Sequence, residues 1–255
     1  MTIRLGRFHA ATAAALFVSA LPAPVHPADL KILSTVGVQT VVQELAPRFE
    51  RATGHKLDIT YGVSNLMKKQ IADGESFDLA IMTSTVTDEL IGQGKLVAAT
   101  RTDIAHGGIG IAVRAGAPKP DIGSVEALKR TLLDAKSIAY SKAGASGIYF
   151  AGLLERMGIA EAMQPKTKYG TSNVGEMVAN GEAQLGVQLI NELLPVRGVE
   201  VVGPLPAEVQ SYVTLTAGVG TQAKEPAIAE QFIRFLTAPA ALTVIKQKGL
   251  EPGGV

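Results

Sequence analysis

The chain reads as an α/β protein of two doubly wound lobes, and three observations predict this. Short apolar or alternating runs recur with helical patterns between them, which implies parallel sheets covered on both faces. The alternation runs through "TVTDELIGQG" (85–94), is interrupted by the glycine-rich "GGIGIAVRAGAPKP" (107–120), and then resumes. A late strand pattern, "SYVTLTAGVG" (211–220), returns before two terminal helices.

Taken in order, "LKILST" (30–35) alternates like a strand. Val38, Val41, Val42, Leu45 and Phe49 then mark one helical face, ending at Gly54 and interrupted by Pro47. "KLDITYG" (56–62) is a second strand. "SNLMKKQIADG" follows as a helix with Ser64 as expected N-cap, and "FDLAIMTS" (77–84) as a strand buried on both faces. Thr85 and Asp88 have the spacing of a capping box at the next helix. Beyond residue 120, "SVEALKRTLLDA" is a helix and "KSIAYS" a strand. "YSKAGASGIYFAGLLERMG" (140–158) passes through a Gly-rich turn into a helix with Phe150, Leu153, Leu154 and Met157 on one face. "AQLGVQLI" (183–190) and "GVEVVG" (198–203) are further strands, and "PAIAEQFIRFLTA" and "PAALTVIKQKG" the closing helices.

The 255 residues are 47% apolar and 18% charged, a globular composition. The formal charge is +1; setting aside Arg4 and Arg7 of the leader, 22 basic side chains face 23 acidic ones. That balance, with no tryptophan and few aromatics, gives no footing for nucleic acid. The absence of cysteine excludes disulfides, thiolate metal sites and a cysteine nucleophile. Residues 1–28 read as a signal peptide: Arg4 and Arg7, the apolar "FHAATAAALFVSAL", then "PAPVHPA", with cleavage after Ala20 or Ala28. A periplasmic, unanchored, monomeric protein is expected, without cofactor or metal.

Four turns set the functional expectation. Ser34-Thr35-Val36-Gly37, Gly62-Val63-Ser64-Asn65, Thr83-Ser84-Thr85 and Ser141 through Gly147 each end a strand and enter a helix. Each alone is explained by capping. Together, at the carboxyl ends of strands, they suit a small anion, because first-turn N–H groups lack intrahelical partners and carry partial positive charge. No G-x-S-x-G elbow, H-E-x-x-H or dinucleotide fingerprint occurs.

The segments "LAPRFERATGHKLDITYGVSNLMKKQIADGESFDLAIMTS", "SKAGASGIYFAGLLERMGI", "MVANGEAQLGV" and "LTAPAALTVIKQKGLEP" resemble the periplasmic solute-binding proteins of the molybdate-binding type, a branch of the type 2 periplasmic binding-protein fold. The resemblance implies lobe one at 29–112 plus 213–255, lobe two at 113–212, crossings at "IGIAVRAG" and "QSYVTLTAG", and a ligand in the cleft. It implies ligand contacts from Ser34, Thr35 and Gly37, from Ser64 and Asn65, from Ser84, from Ser146, Gly147, Ile148 and Tyr149, from Ser172 and Asn173, and from Gln188. The chain departs from the family pattern at Gly37, where a serine is usual, and at Leu189, where a tyrosine is usual, with Gln188 and Glu192 nearby.

Two functions follow from that resemblance. The preferred expectation is capture of a small oxyanion or organic acid for an ABC importer. The alternative rests on a relative of the family, aconitate isomerase, and needs a group that moves a proton: Glu192 first, then His106 and Lys142. Each has a structural alternative. Glu192 could be a solvated residue of the "NELL" turn, Lys142 a solvated turn lysine, His106 a lead-in to the crossing strand, and Tyr149 a half-buried residue with its hydroxyl at the rim.

Overall fold

The structure, a computed structural model, describes residues 27–254. Most of the expected signal segment therefore lies outside the described residues. The first sheet contains β1 (Asp29–Thr35), β2 (Lys56–Gly62) and β3 (Leu79–Thr83), with helices α1 (Gln39–Thr53), α2 (Ser64–Ala72) and α3 (Ser84–Gly92) following them in alternation. The long β4 (Thr102–Arg114) leads to α4 (Val125–Asp134), β5 (Ile138–Ser141), α5 (Ala145–Arg156), α6 (Ala160–Met163), β6 (Thr167–Gly170), α7 (Val174–Ala179), β7 (Leu185–Leu189), α8 (Ile190–Leu193) and β8 (Val199–Pro204). The chain returns in β9 (Tyr212–Val219) and ends in α9 (Pro226–Leu236), α10 (Pro239–Gln247) and β10 (Glu251–Pro252).

The strand order is β2-β1-β3-β9-β4-β7-β5-β6, with β8 and β10 also pairing β4. β1 pairs in parallel with β2 and β3, and β5 with β6 and β7. The returning strand β9 is antiparallel to β3 and β4. β4 changes partners along its length: Thr102–Gly108 lies against β9, and Ile109–Val113 against β7. One strand thus belongs to both halves of the sheet. A Cβ on Gly110, just past the change, would sit 2.9 Å from the Gly203 carbonyl and 2.6 Å from Ile190, so the strands approach this closely only around glycine.

Each half is covered on both faces, which explains its near-continuous apolar strands. In the first, Leu30, Ile32 and Ile81 pack with the predicted face of α1 (Val41, Val42, Leu45, Phe49) and with Phe232, Ile233 and Ile245 of α9 and α10. On the opposite face Leu33, Ala80 and Met82 meet Met67, Ile71, Val86 and Leu90 of α2 and α3. In the second half Ile109, Ile111, Ile138 and Val187 pack against Leu128, Leu132, Phe150 and Leu153, with Ala139 on Val174 and Val178 behind. No single helix among the described residues is long and apolar enough to cross a membrane.

Two local expectations are corrected. Ser64 is the first helical residue, not the cap: Val63 holds that position, and the Ser64 hydroxyl accepts from the Thr83 N–H (3.1 Å) on the neighbouring strand. The Thr85–Asp88 capping box does not form, because Thr83 holds the cap position and α3 starts two residues earlier, at Ser84, while Asp88 pairs with Arg101 (2.7 Å). Both residues follow tertiary partners instead of local ones.

Candidate functional site

The carboxyl ends of β1, β2 and β3 meet those of β5, β6 and β7 across the gap between the halves. A small cavity of about 40 Å³ lies there. From the first half it is lined by Thr35, Val36 and Gly37, by Val63, Ser64 and Asn65, and by Thr83. From the second come Ser141 and Ala143 through Ser146, Thr171 and Ser172, and Gln188, Leu189 and Glu192; Val213 and Leu215 of β9 close it. Eleven polar or charged side chains are buried in the described residues, and five of them, Thr35, Ser64, Ser141, Ser146 and Gln188, line this cavity. Buried polar groups are costly unless partnered, so their concentration here marks the place as built for a polar occupant.

Two helices start at the cavity with their first N–H groups uncapped by side chains. α2 begins at Ser64 and α5 at Ala145, and neither has a side-chain cap bond. These are the donors an anion accepts from. The Ser141 hydroxyl accepts from Gly144 N–H (3.0 Å), fixing the turn into α5, and the Thr35 hydroxyl accepts from Gly37 N–H (3.4 Å), fixing the turn after β1. Two side chains join the halves beside the cavity. Asn65 Nδ2 donates to the Ala143 carbonyl (2.9 Å), and Asn191 Nδ2 to the Gly37 carbonyl (2.8 Å).

No lysine, arginine or histidine lines the cavity, and Glu192 is its one ionisable side chain. Glu192 is partly exposed as a residue, but its carboxyl is enclosed by the walls. Burial raises its pKa from 4.5 to about 7, against a smaller opposing effect from a hydrogen bond with Gln188. A Cβ on Gly37 would crowd Leu215 Cδ2 at 3.1 Å and meet Leu189 Cδ1 at 3.4 Å and Glu192 Oε1 at 3.5 Å, so the apolar wall and the carboxyl close around glycine here. Leu189, Val213 and Leu215 give the cavity an apolar wall.

The residues expected from the sequence divide as follows. Thr35, Gly37, Ser64, Asn65, Ser146, Ser172, Gln188 and Glu192 come together at the cavity. Ser34 does not: it is fully buried, with its hydroxyl donating to the Thr35 carbonyl (3.3 Å). Ser84, Ile148 and Tyr149 line an adjoining groove on one side, which shares Asn65, Thr83, Ala145 and Val213 with the cavity; there the Tyr149 hydroxyl donates to the Val209 carbonyl (2.9 Å). Asn173 lines a groove on the other side. Gly147 is buried against β5, where an added Cβ would lie 1.7 Å from the Ser141 carbonyl oxygen. His106 is on β4 with Nδ1 at 3.0 Å from the Thr214 hydroxyl, and Lys142 is exposed over the Tyr169 ring at 5.4 Å; neither lines the cavity. Ser141, Thr83 and Thr171 were not singled out from sequence. All three sit in or beside turns that were, but on a strand end the pleat alone decides which hydroxyl faces the gap. Among the described residues no cluster of histidine, aspartate or glutamate could hold a metal ion.

Comparison with known proteins gives this geometry a family. Aconitate isomerase from a Pseudomonas species is 35% identical over 230 residues, 88% of this chain and 87% of that protein. The molybdate-binding protein ModA of Azotobacter vinelandii is 26% identical over 98% of both chains. The structure of the Azotobacter vinelandii periplasmic molybdate-binding protein superposes with a TM-score of 0.74 at 22% identity, covering 87% of this chain and 98% of that one. The sulfate-binding protein SubI of Mycobacterium tuberculosis shares the fold at a TM-score of 0.73 and 17% identity, over 89% and 87% of the two chains. The family model of the bacterial extracellular solute-binding proteins matches residues 30–251, and the chain belongs to that family.

Proposed function

We propose that the cleft takes a small organic acid and that Glu192 moves a proton on it, in a cofactor-independent isomerisation of the aconitate isomerase type. The observation that carries this reading is the enclosed Glu192 carboxyl, held near pKa 7 in a cavity without any cation. An ionised carboxylate repels an anion, so a receptor could use this group only in its protonated form. A carboxyl that titrates near neutrality is what reversible proton transfer to carbon requires. The apolar wall of Leu189, Val213 and Leu215 supports the same reading: it suits the hydrocarbon part of an organic acid better than a metal oxyanion, which seeks donors on all sides. The similarity to aconitate isomerase adds independent support.

In the proposed step the Glu192 carboxylate takes a proton from the methylene that adjoins both the double bond and a carboxylate. The C–H electron pair moves into the allylic system, and the developing dienolate accepts hydrogen bonds from the uncapped N–H groups of α2 and α5. Glu192 then returns the proton to the far end of that system. The former methylene is now the alkene carbon, and no oxidant, reductant or metal is needed. The reaction belongs in the periplasm, reached through the 1–28 leader, with the lobes 29–112 plus 213–255 and 113–212 closing over the ligand.

A second reading has the cavity's size in its favour. About 40 Å³ holds roughly three waters by the usual measure, or a very small anion. In that reading the protein captures such an anion for an ABC importer, and protonated Glu192 donates to it. Incubating the purified protein with cis-aconitate in deuterium oxide separates the two. The isomerase yields trans-aconitate, with deuterium in the new methylene to the extent that the proton on Glu192 exchanges with solvent before its return, and Glu192→Gln lowers turnover by about 10²-fold or more. Aconitate recovered unchanged and undeuterated, with tight molybdate or sulfate binding, would establish capture alone.

A further inference from the structure

Beside the cavity a larger groove of about 610 Å³ runs over the outer side of the junction between the halves. Cavity and groove share Val36, Ser172, Gln188 and Glu192, so the Glu192 side chain stands between them. The groove walls mix polar and apolar surface, with Gln39, Thr40 and Gln43 of α1, Asn173, Asn180 and Arg197 set among Val36, Ala179, Pro195 and Val196. Arg197 and Glu176 are its charged residues besides Glu192, and neither forms an ion pair among the described residues.

A ligand with more than one carboxylate needs more space than the cavity offers, and of the two grooves that adjoin it the one at Ser84 and Tyr149 has no charged side chain, whereas this one carries Arg197. Sites for small organic molecules span roughly 300–1,000 Å³, far above the 40 Å³ of the cavity and within reach once the groove is added. We infer that cavity and groove form one two-compartment site for an extended di- or tricarboxylate: one carboxylate enters the cavity at the α2 and α5 N-termini, and the rest of the molecule lies in the groove with a second carboxylate toward Arg197. This rests on the reading that the cleft takes an organic acid, and it names the class. The carbon chain between the carboxylates then passes Glu192, the group that stands where the compartments meet.

The inference is tested with tricarballylate, a saturated tricarboxylate that cannot isomerise, titrated calorimetrically into the intact protein. Arg197 and Glu176 are both exposed, so neutralising them leaves the core untouched. Arg197→Gln weakens tricarballylate binding at least 5-fold, and Glu176→Gln tightens it about 2-fold, in keeping with gain or loss of one partly screened charge interaction. Lys95→Gln, on a different groove, changes it by less than either. Failure of the wild-type protein to bind tricarballylate, or equal responses to Arg197→Gln and Lys95→Gln, overturns the two-compartment site. Because this probe carries no allylic proton, binding that depends on Arg197 upholds the site even if deuterium exchange into aconitate fails. Exchange without any Arg197 effect upholds the proton transfer and removes the groove.

Discussion

Glu192 and Gly37 together set the chemistry at the bottom of the cleft. Burial holds the Glu192 carboxyl near pKa 7 in the folded chain, against 4.5 for an ordinary glutamate. Between those two values the folded state binds more protons than the unfolded one, so stability falls as pH rises through this window. Glu192→Gln is expected to flatten the urea-unfolding free energy between about pH 4.5 and 7 relative to wild type. The same titration acts on ligands: anion affinity drops as pH passes about 7 and the carboxylate ionises, and the Gln variant loses that dependence. Gly37 offers a converse test. Gly37→Ser restores the hydroxyl common in the family beside Glu192 Oε1, where it donates to the carboxylate and stabilises the charged form. The pH–rate profile of isomerisation should shift its acid limb downward; an unmoved profile would mean that the serine hydroxyl does not reach Glu192.

Among the elements, the decisive feature is the way β5 passes into α5. Ser141 ends the strand, its hydroxyl holds Gly144, and the helix starts at Ala145 with its donors uncapped toward the cavity. Gly147 makes this turn possible by resting its Cα on the Ser141 backbone. Gly147→Ala places a methyl 1.7 Å from the Ser141 carbonyl oxygen and must displace either strand or helix, for a loss of about 3 kcal/mol or more. Gly152, further along α5, is unlike it: an added methyl there would meet only the flexible end of Arg156, at 3.4 Å. Gly152→Ala should therefore stabilise by up to about 1 kcal/mol, through reduced unfolded-state entropy and better helix propensity. Urea titration of both variants checks the pair; similar effects at the two positions would show that helix propensity, not the contact with Ser141, governs them.

Across the whole molecule, the two halves are joined by the shared strand β4, by β9, and by side-chain bonds flanking the cavity. Asn65 to Ala143 and Asn191 to Gly37 hold opposite walls together. Asn65 is only partly buried, so its removal leaves no large void. Asn65→Ala should shift the population toward open forms and weaken ligand binding by about 1 kcal/mol, roughly 5-fold, the net worth of one hydrogen bond. Small-angle scattering of the ligand-free variant should give a larger radius of gyration than wild type. An unchanged radius with unchanged affinity would mean that packing at Leu189, Val213 and Leu215 keeps the cleft shut.

Most of the strands and helices, their buried faces and the turns that line the cavity are legible in the chain before it folds; the short β6, α6, α7, α8 and β10 are not, because so few residues show no period. The legible parts are local matters: the 3.6-residue period of Val38, Val41, Val42, Leu45 and Phe49, or the apolar run of "FDLAIMTS", follows from which faces must leave water. The four Ser/Thr/Gly turns are legible for the same reason, and all four supply cavity walls, through Thr35, Ser64, Thr83 and Ser146. Which residue of each turn faces inward depends instead on the assembled sheet. Ser34 and Thr35 are chemically alike and adjacent, yet only Thr35 lines the cavity, because successive residues of a strand point to opposite sides. The separation of Glu192 from His106 and Lys142 also needs the folded molecule: position in the chain says nothing about enclosure, and enclosure is what raises a carboxyl to about 7. The groove beside Glu192 joins α1 to residues more than a hundred positions away, so its walls arise only when the two halves come together.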